Sequence, residues 1–312
     1  MNNPKVTVLM PVYNGERFLK EAIESILTQT FTDFEFLIIN DGSTDKSIDI
    51  IMSYNDPRIR LIHNEENLKL IASLNKGINL AKGKYIARMD CDDISMPSRL
   101  EKEVEFLDNN YEYGLVGTWF NVINADGQEL YKVTHPTEDS MIKLFLTVNC
   151  PLAHGSIMGR TELFRKNLYG SEQYFAIEDY ELWTRLAAIT KIYNIPEYLF
   201  KYRVYGESFS DTKLEAMAKQ TEQLGRQVFS NNKKIYISII NDGLINNDLK
   251  NENKEIKKYI GEWINRFVER LIYVNEYGMA FKLYLKSVNN YGFKYKKLCK
   301  NAIYVMKSFI KL

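Results

Sequence analysis

The sequence predicts an α/β protein with a mostly parallel, mixed sheet, followed by a helical appendage at the C-terminal end. Short apolar runs alternate with amphipathic segments at the spacing of βαβ units over about the first 90 residues. These runs are almost continuously apolar, which is typical of parallel strands that are covered on both faces. From about Lys213 onward, apolar residues recur with the three-and-four spacing of helices.

Strands and helices are predicted in strict alternation in the first part of the chain. Apolar runs predict strands at residues 6–10, 34–39, 59–63 and 85–89. Amphipathic spacing predicts helices at residues 18–27, 48–54 and 71–81. The turn Asn40-Asp41-Gly42-Ser43 closes the second strand, because Gly supplies backbone freedom and Ser or Asp can cap the helix that follows.

The next part of the chain predicts mixed α+β structure. Helices are expected at residues 99–107, 141–146 and 178–188, and strands at residues 115–124 and 129–133. We therefore predict one domain over residues 1–210, with two halves at about 1–98 and 99–210. Residues 211–312 form the predicted helical region.

Composition and charge exclude several classes of protein. A chain of 312 residues that is 45% hydrophobic can bury a large core, and a formal net charge of +1 excludes a globally basic nucleic-acid-binding protein. Cys91, Cys150 and Cys299 form no C-x-x-C pair, so neither a disulfide framework nor a zinc site is predicted, and a cytoplasmic location is expected. Because no stretch of about 18 apolar residues occurs, we expect no membrane-spanning segment and no export signal.

Polar residues follow three of the predicted strands at the point where each strand ends. They are Tyr13 and Asn14 after the first strand, Asp41 after the second, and Asp90, Asp92 and Asp93 after the fourth. In open α/β sheets, ligands bind outside the carboxyl ends of the strands. One ligand site can therefore collect all three groups.

The acidic stretch Asp90-Cys91-Asp92-Asp93 predicts a metal-assisted site. Three carboxylates at the end of a buried strand repel one another unless a cation or hydrogen-bond donors compensate their charge. Oxygen ligands suit Mg²⁺ or Mn²⁺, which keep several waters and use their remaining positions for substrate phosphates. A D-x-D triplet alone is also typical of a solvated turn or a helix cap. Its position directly after a strand favours the ligand site.

Two further acidic positions have alternative interpretations. Asp41 is either the Asp of an Asp-Gly turn that bonds to its own backbone or an acceptor for a base or a ribose. Glu178 and Asp179 either stabilise the N-terminus of the helix that they open or supply a general base that deprotonates an acceptor hydroxyl. The residues by themselves leave both alternatives open.

Four segments between about residues 5 and 205 resemble family 2 glycosyltransferases of the GT-A fold. They are residues 8–14 (Val-Leu-Met-Pro-Val-Tyr-Asn), 40–45 (Asn-Asp-Gly-Ser-Thr-Asp), 87–94 (Ala-Arg-Met-Asp-Cys-Asp-Asp-Ile) and 178–186 (Glu-Asp-Tyr-Glu-Leu-Trp-Thr-Arg-Leu). The resemblance implies a Rossmann-like transferase that takes a sugar from a nucleotide diphosphate donor, often a UDP-sugar. The anomeric configuration of the sugar would be inverted during transfer, and Mn²⁺ or Mg²⁺ would bind the diphosphate. Residues 1–98 would then be the nucleotide-binding half and residues 99–210 the acceptor half.

The resemblance also implies roles for individual residues. Asp179 would be the catalytic base and Glu178 its support, while Asp92 would be the metal ligand. Asp41 would hold the nucleotide base and Asp90 would contact the nucleoside. The other residues implied to border the donor nucleotide are Pro11, Val12, Tyr13, Asn14, Asn67, Met89 and Cys91.

Three positions near these motifs require separate comment. Lys69 stands where relatives commonly have Gly, so the turn beside Asn67 is expected to be built differently. Tyr205 stands where the family segment often has His, so a His ligand for a metal or phosphate is lacking there. His154, in the segment Ala-His-Gly-Ser, is either a structural residue or part of a loop that faces the acceptor.

The C-terminal segment 282–312 is basic, with eight Lys and no Asp or Glu. Lys297, Lys300, Lys307 and Lys311 fall on one face of a helix, and apolar residues fall on the opposite face. Such a helix either lies on the anionic inner face of the cell membrane or packs on the domain. Attachment to the membrane would suit a lipid-linked acceptor.

The resemblance therefore predicts an inverting glycosyltransferase of bacterial cell-surface polysaccharide or glycolipid synthesis that acts on a saccharide or lipid-linked saccharide. Two alternatives remain. A nucleotidyltransferase also uses a sheet, a metal and carboxylates, but its expected Gly-rich basic loop is missing after the first strand. A non-catalytic nucleotide-sugar-binding module would keep the fold without the chemistry, and the presence of Asp92 and Asp179 argues against it.

Overall fold

The computed structural model describes residues 3–170, 172–206, 213–246, 264, 266–276, 278–280 and 282–283. The chain divides into two units, of which the first comprises residues 1–133 and 152–217 and the second comprises residues 134–151 and 218–312. The sequence predicts residues 134–151 as part of the N-terminal domain. They group with the C-terminal helices instead, because Phe145 and its neighbours share a core with Phe229 and Phe267.

Four parallel strands and three helices form the first half of unit 1. The strands are β1 (Val6–Val12), β2 (Phe34–Asn40), β3 (Ile59–His63) and β4 (Tyr85–Arg88), in the order β3-β2-β1-β4. The helices are α1 (Leu19–Leu27), α2 (Ser47–Met52) and α3 (Leu70–Leu80). Every residue of β1 and β2 is buried, so the continuous apolar runs correctly indicated strands that are covered on both faces.

Five further strands extend the sheet and make it mixed. They are β5 (Ile94–Ser95), β6 (Tyr113–Ile123), β7 (Glu129–Val133), β8 (Met158–Arg160) and β9 (Lys191–Arg203). The order becomes β3-β2-β1-β4-β8-β6-β9-β5, with β7 beside β6. Strand β8 is antiparallel to both β4 and β6, whereas β9 runs parallel to β6. The predicted α/β class is confirmed.

Strand β9 was not predicted from the sequence, and a bulge explains why. Opposite Thr118 and Trp119, the register on β9 passes directly from Ile195 to Tyr198. Pro196 and its neighbour therefore stand outside the pairing, which is where Pro is tolerated in a strand. The bulge breaks the period-2 pattern by which a strand is recognised.

Four helices complete the region between β5 and β9. They are α4 (Arg99–Asn109), α5 (Asp139–Phe145), α6 (Thr161–Lys166) and α7 (Glu178–Ala187). Helix α7 buries Leu182, Trp183 and Leu186 completely. This apolar face fixes its first turn, which carries Glu178 and Asp179, relative to the sheet.

The C-terminal region begins with α8 (Leu214–Asn231) and α9 (Lys233–Ile239) and continues as a π-helical segment (Ile240–Asn246). The predicted basic segment 282–312 lies outside the described residues apart from Lys282 and Leu283, so its role stays a prediction. No helix among the described residues is long and apolar enough to cross a membrane.

The turn between α3 and β4 packs closely against β1, so adding a single methyl group at Gly83 in this turn is expected to lower stability. A Cβ atom at Gly83 would lie 2.4 Å from the Thr7 nitrogen, which belongs to the backbone of β1 and cannot move aside. We expect Gly83→Ala to lower the free energy of unfolding by about 1 to 3 kcal/mol in urea titrations. Gly170→Ala, whose nearest contact would be 4.0 Å away, serves as the control and should leave stability unchanged.

Candidate active site

Arg88, the last residue of β4, holds the chain segment that leads into the acidic cluster. Its Nη2 donates a hydrogen bond to Asp90 Oδ1 at 2.7 Å, and its Nη1 donates to the Met89 carbonyl. The Arg88 side chain is 2% exposed and that of Asp90 is 32% exposed. One carboxylate of the cluster is therefore paired with a buried cation.

A second buried arginine lies at the first residue of α4. Arg99 donates to the Gly155 carbonyl at 2.7 Å and to the Arg88 carbonyl at 3.0 Å, and its Nε lies 3.5 Å from Glu103 Oε2. Burial raises the pKa of Glu103 to about 8, although the Arg99 charge opposes this. Arg99 thus joins the end of β4 to the short helical turn His154–Ser156.

The end of β9 holds the other two acids of the cluster. The Tyr205 hydroxyl donates to Asp92 Oδ2 at 3.0 Å, and Arg203 Nε donates to the Asp92 carbonyl at 2.7 Å. The Arg203 backbone N–H donates to Asp93 Oδ1 at 2.7 Å. Tyr205 therefore contacts the predicted metal ligand directly.

Asp92 and Asp93 differ in whether a carboxylate oxygen remains available to bind a cation. Burial and the charge of Asp90 raise the pKa of Asp92 to about 6. Burial and the charge of Asp92 raise the pKa of Asp93 well above its usual range, and its Oδ2 is buried without a hydrogen-bond partner among the described residues. Asp92 retains Oδ1 beside the Tyr205-bonded Oδ2 and is the better candidate ligand.

These residues fit a divalent cation. A cation would offset the repulsion between Asp90 and Asp92, and the carboxylate oxygens are ligands that Mg²⁺ and Mn²⁺ accept. In the described part of the chain, no three His, Cys, Asp or Glu side chains converge on one metal position. The arrangement suits an ion that takes most of its ligands from water and phosphate.

Some of the side chains predicted to border the nucleotide are buried in the core, and others are exposed at the surface. Pro11, Val12 and Met89 are buried, so only their backbone can face a ligand. Tyr13 is 49% exposed and is available for contact. Cys91 is half-buried, and burial together with the Asp92 charge raises the pKa of its thiol.

Asn14 shapes the loop after β1. It adopts a left-handed backbone conformation with φ of 50°, which Asn tolerates better than most residues. Its side-chain Oδ1 accepts a hydrogen bond from the Thr44 N–H at 2.8 Å, and its own N–H donates to Ser43 Oγ at 3.1 Å. Asn14 therefore connects the loops that follow β1 and β2.

Asp41 is buried and organises the loop that follows β3. Its Oδ1 accepts hydrogen bonds from Asn64 Nδ2 at 2.7 Å and from the Leu68 N–H at 2.9 Å. Asn67 lies in this loop and accepts a hydrogen bond from the Lys69 N–H at 3.0 Å. Lys69 has a φ of 74°, in the left-handed region that favours Gly, so a Lys holds this conformation at a cost in strain.

Glu178 and Asp179 form a coupled acidic pair in the first turn of α7. Burial and the Asp179 charge raise the pKa of Glu178 to about 8, and burial is the main cause that raises the pKa of Asp179 to about 6. At neutral pH the pair therefore holds about one proton, and the higher pKa of Glu178 favours that residue as its carrier. The Asp90 charge contributes to the raised pKa of both residues, so the pair lies within electrostatic range of the acidic cluster.

His154 lies against this pair. Its Nε2 is 2.7 Å from the Tyr169 hydroxyl, and its Nδ1 is 4.0 Å from Glu178 Oε1. Burial, with the Arg88 charge, lowers the pKa of His154 well below its usual range, so the ring is neutral. Asn75 holds the Tyr169 backbone by two hydrogen bonds, at 2.8 and 2.9 Å. His154 is therefore buried, as a structural residue would be, and it also lies near Glu178, the residue that precedes the candidate base.

Several residues of the site are not among those predicted. Arg88 carried a signal, because a charged residue within an apolar strand must be paired when it is buried. Arg203, Asn64 and Tyr169 carried none, since their partners lie far away in the sequence.

Comparisons with known proteins identify similar sequences. A family model described as glycosyl transferase family 2 matches residues 7–168. An uncharacterised glycosyltransferase of Methanocaldococcus jannaschii is 39% identical over 211 residues, which cover 65% of this chain and 72% of that protein.

Two solved structures are similar over most of the chain. S. aureus TarS 1–349 in complex with UDP-GlcNAc has a TM-score of 0.59 at 17% identity, covering 92% of this chain and 89% of that one. The mannosyltransferase PcManGT from Pyrobaculum calidifontis, in complex with GDP-Man and Mn²⁺, has a TM-score of 0.53 at 13% identity, covering 93% and 88%. Both likenesses confirm the predicted GT-A fold.

Proposed function

Because the chain belongs to glycosyltransferase family 2, we propose that it is an inverting, cation-dependent enzyme that moves a sugar from a UDP-sugar to a hydroxyl of a saccharide or lipid-linked saccharide. The family assignment itself supports transfer from a nucleotide-sugar donor. The inverting course, the uracil base and a role in cell-surface polysaccharide or glycolipid synthesis are the parts proposed here.

One observation carries this proposal: the carboxylates that follow β4 and those in the first turn of α7 lie close enough for the Asp90 charge to act on both groups. The Asp92 carboxylate lies at the carboxyl end of the sheet, where phosphates bind in open α/β folds. Asp179 lies in the first turn of α7 and is ionised at neutral pH, since burial raises its pKa only to about 6. Asp90 influences both groups. Transfer needs a carboxylate that binds a cation beside the leaving diphosphate and a second carboxylate that accepts the proton of the attacking hydroxyl. These two groups must lie on opposite sides of the sugar.

The donor half of the site is proposed to use the loops after β1, β2 and β3. Asp41 and Asn64 are bonded to each other, and Asn14 ties the first two loops together. We assign the nucleotide base to this region and the nucleoside to Asp90, which Arg88 holds. Asp92 would hold the cation, which when bound supplies positive charge to the departing diphosphate.

The acceptor half is proposed to act in a single displacement. Asp179 accepts the proton of the acceptor hydroxyl while the oxygen of that hydroxyl forms a bond to the anomeric carbon. The bond between that carbon and the diphosphate oxygen breaks, and the electron pair leaves with the diphosphate. Since one bond forms on the face opposite the one that breaks, the anomeric configuration inverts and no covalent sugar intermediate is required.

A ligand-binding screen tests the donor assignment. UDP, GDP, dTDP and CMP are each added with and without Mn²⁺, and the midpoint of thermal unfolding and the heat of binding are measured. A bound nucleotide at 100 times its Kd stabilises the fold by about 2.7 kcal/mol. We expect this stabilisation with UDP only when Mn²⁺ is present. A preference for GDP would overturn the uracil assignment, and no binding of any nucleotide would overturn the proposed function.

A further inference from the structure

Arg88 lies where the two groups of carboxylates meet. Its guanidinium is bonded to Asp90 Oδ1, and its backbone N–H donates to the Ile157 carbonyl at 2.9 Å. On the other side of Asp90, a Cβ atom at Gly155 would lie only 2.9 Å from Asp90 Oδ2. The turn that contains Gly155 therefore packs directly against the carboxylate that Arg88 holds.

The same turn continues to the acidic pair of α7. His154 precedes Gly155, and its two ring nitrogens lie 2.7 Å from the Tyr169 hydroxyl and 4.0 Å from Glu178 Oε1. A path of contacts thus runs from Arg88 through Asp90 and this turn to the first turn of α7. Arg88 is buried beneath this path and makes no hydrogen bond through Nε to any described residue.

The charge of Arg88 acts on both groups of acids. It lowers the pKa of Asp92 and of Asp93 in the cluster, and it lowers the pKa of Glu178 and of Asp179 on α7. Each of these effects opposes burial, which is the larger cause and raises the pKa of all four.

The groups that face Asp179 are otherwise acidic or neutral. Glu178 precedes it on α7, Asp90 faces it from the end of β4, and the Tyr169 phenol interacts with it from the segment before α7. The nearby His154 ring is neutral. The Arg88 charge lowers the pKa of Asp179, whereas the Asp90 charge raises it.

We propose that Arg88 is a positioning residue shared by both halves of the site: it orients Asp90 through a direct hydrogen bond and, through Asp90 and the turn His154–Ser156 that packs on it, presents its buried positive charge to the first turn of α7. This inference rests on the proposed function, in which Asp179 accepts a proton and Asp90 contacts the nucleoside. Because Arg88 is buried, its proposed action on the ligand passes through Asp90. A purely structural role for Arg88 would affect stability but would leave the titration of Asp179 unchanged.

The titration of Asp179 tests the charge. Aspartate labelled with ¹³C at the carboxyl carbon is observed by NMR, and the Asp179 signal is assigned by its absence in Asp179→Asn. We expect a midpoint near pH 6 in the wild type and a midpoint higher by about one pH unit in Arg88→Gln. Arg88→Lys keeps the charge and should keep the midpoint. An unchanged midpoint in Arg88→Gln would overturn the proposal.

A second pair of variants isolates the charge if Arg88→Gln does not fold. Asp90→Asn keeps Arg88 without its partner, and the double variant Arg88→Gln/Asp90→Asn removes the ion pair as a unit, which buried pairs tolerate better than loss of one member. The Asp179 midpoint should be lower in Asp90→Asn than in the double variant. Equal midpoints would overturn the proposal.

Two controls separate this role from others. Arg160→Gln removes another arginine of the sheet, which donates to the Tyr113, Leu107 and Asn110 carbonyls, and should lower stability without moving the Asp179 midpoint. Arg88→Lys should weaken Mn²⁺-dependent UDP binding about tenfold, because a lysine cannot reproduce the two-nitrogen fork. UDP binding that is equal in Arg88→Lys would overturn the orienting role. If the wild type binds no nucleotide, the proposed function is refuted. The NMR midpoints of Asp179 would still test the proposed role of Arg88.

Discussion

Asp179→Asn is expected to lower kcat by about 10² to 10⁴-fold while Mn²⁺-dependent UDP binding persists. The amide keeps the size of the carboxyl group and can still accept the Tyr180 N–H, which now donates to Asp179 Oδ1 at 2.7 Å. It cannot take a proton from the acceptor. Nucleotide release from the donor that the binding screen identifies measures kcat, and calorimetry measures UDP affinity. Undiminished release would show that Asp179 is not the base.

Glu178→Gln is the matched control for this prediction. Since burial and the Asp179 charge raise the pKa of Glu178 to about 8, this residue is mainly protonated at pH 7, and Gln resembles the protonated form. We therefore expect a much smaller loss of activity than in Asp179→Asn. The opposite order of losses would exchange the two roles.

The pH profile of the wild type follows from the same pair. Burial raises the pKa of Asp179 above the usual range of an aspartate, so its basic form is lost at a higher pH as the solution is acidified. The value of kcat/KM should be half-maximal near pH 6, should level off about one pH unit higher, and should fall about tenfold per pH unit well below pH 6. Because the two acids are coupled, the observed midpoint belongs to the pair.

Asp92→Ala is expected to weaken Mn²⁺-dependent UDP binding by about 100-fold or more, since even residues that only support a metal ligand contribute about 10- to 100-fold. The metal-free protein should remain folded. In the metal-free wild type, burial and the Asp90 charge raise the pKa of Asp92 to about 6, so ionised Asp92 lowers the free energy of unfolding above about pH 6. Replacing Asp92 by Ala removes this unfavourable charge. Calorimetry with and without Mn²⁺ measures the first effect, and thermal unfolding measures the second.

Asp93→Asn provides the comparison within the same strand end. The Asp93 side chain is buried and accepts the Arg203 N–H through Oδ1, which Asn can also do. UDP binding should therefore be retained in Asp93→Asn. Equal loss of binding in Asp92→Ala and Asp93→Asn would mean that the strand end has collapsed, and it would remove the case for Asp92 as the metal ligand.

Local patterns in the sequence predicted much of the fold correctly. Helices and strands up to β4 lie within two residues of their predicted bounds, because apolar spacing reflects which side chains face the core. The bulged strand β9 and the grouping of residues 134–151 with the C-terminal helices were not predicted. Both depend on pairing with distant residues, which no local period records.

The sequence by itself determined the α/β class, the resemblance to family 2 glycosyltransferases and the acids proposed to act in the site. These follow from residue spacing and from motifs that are short and continuous. Only the tertiary structure decided how those acids are held and charged: Arg88 pairs with Asp90, Arg203 holds Asp93 from 110 residues away, and His154 approaches Glu178. Protonation depends on burial and on neighbouring charges, and both exist only after the chain has folded.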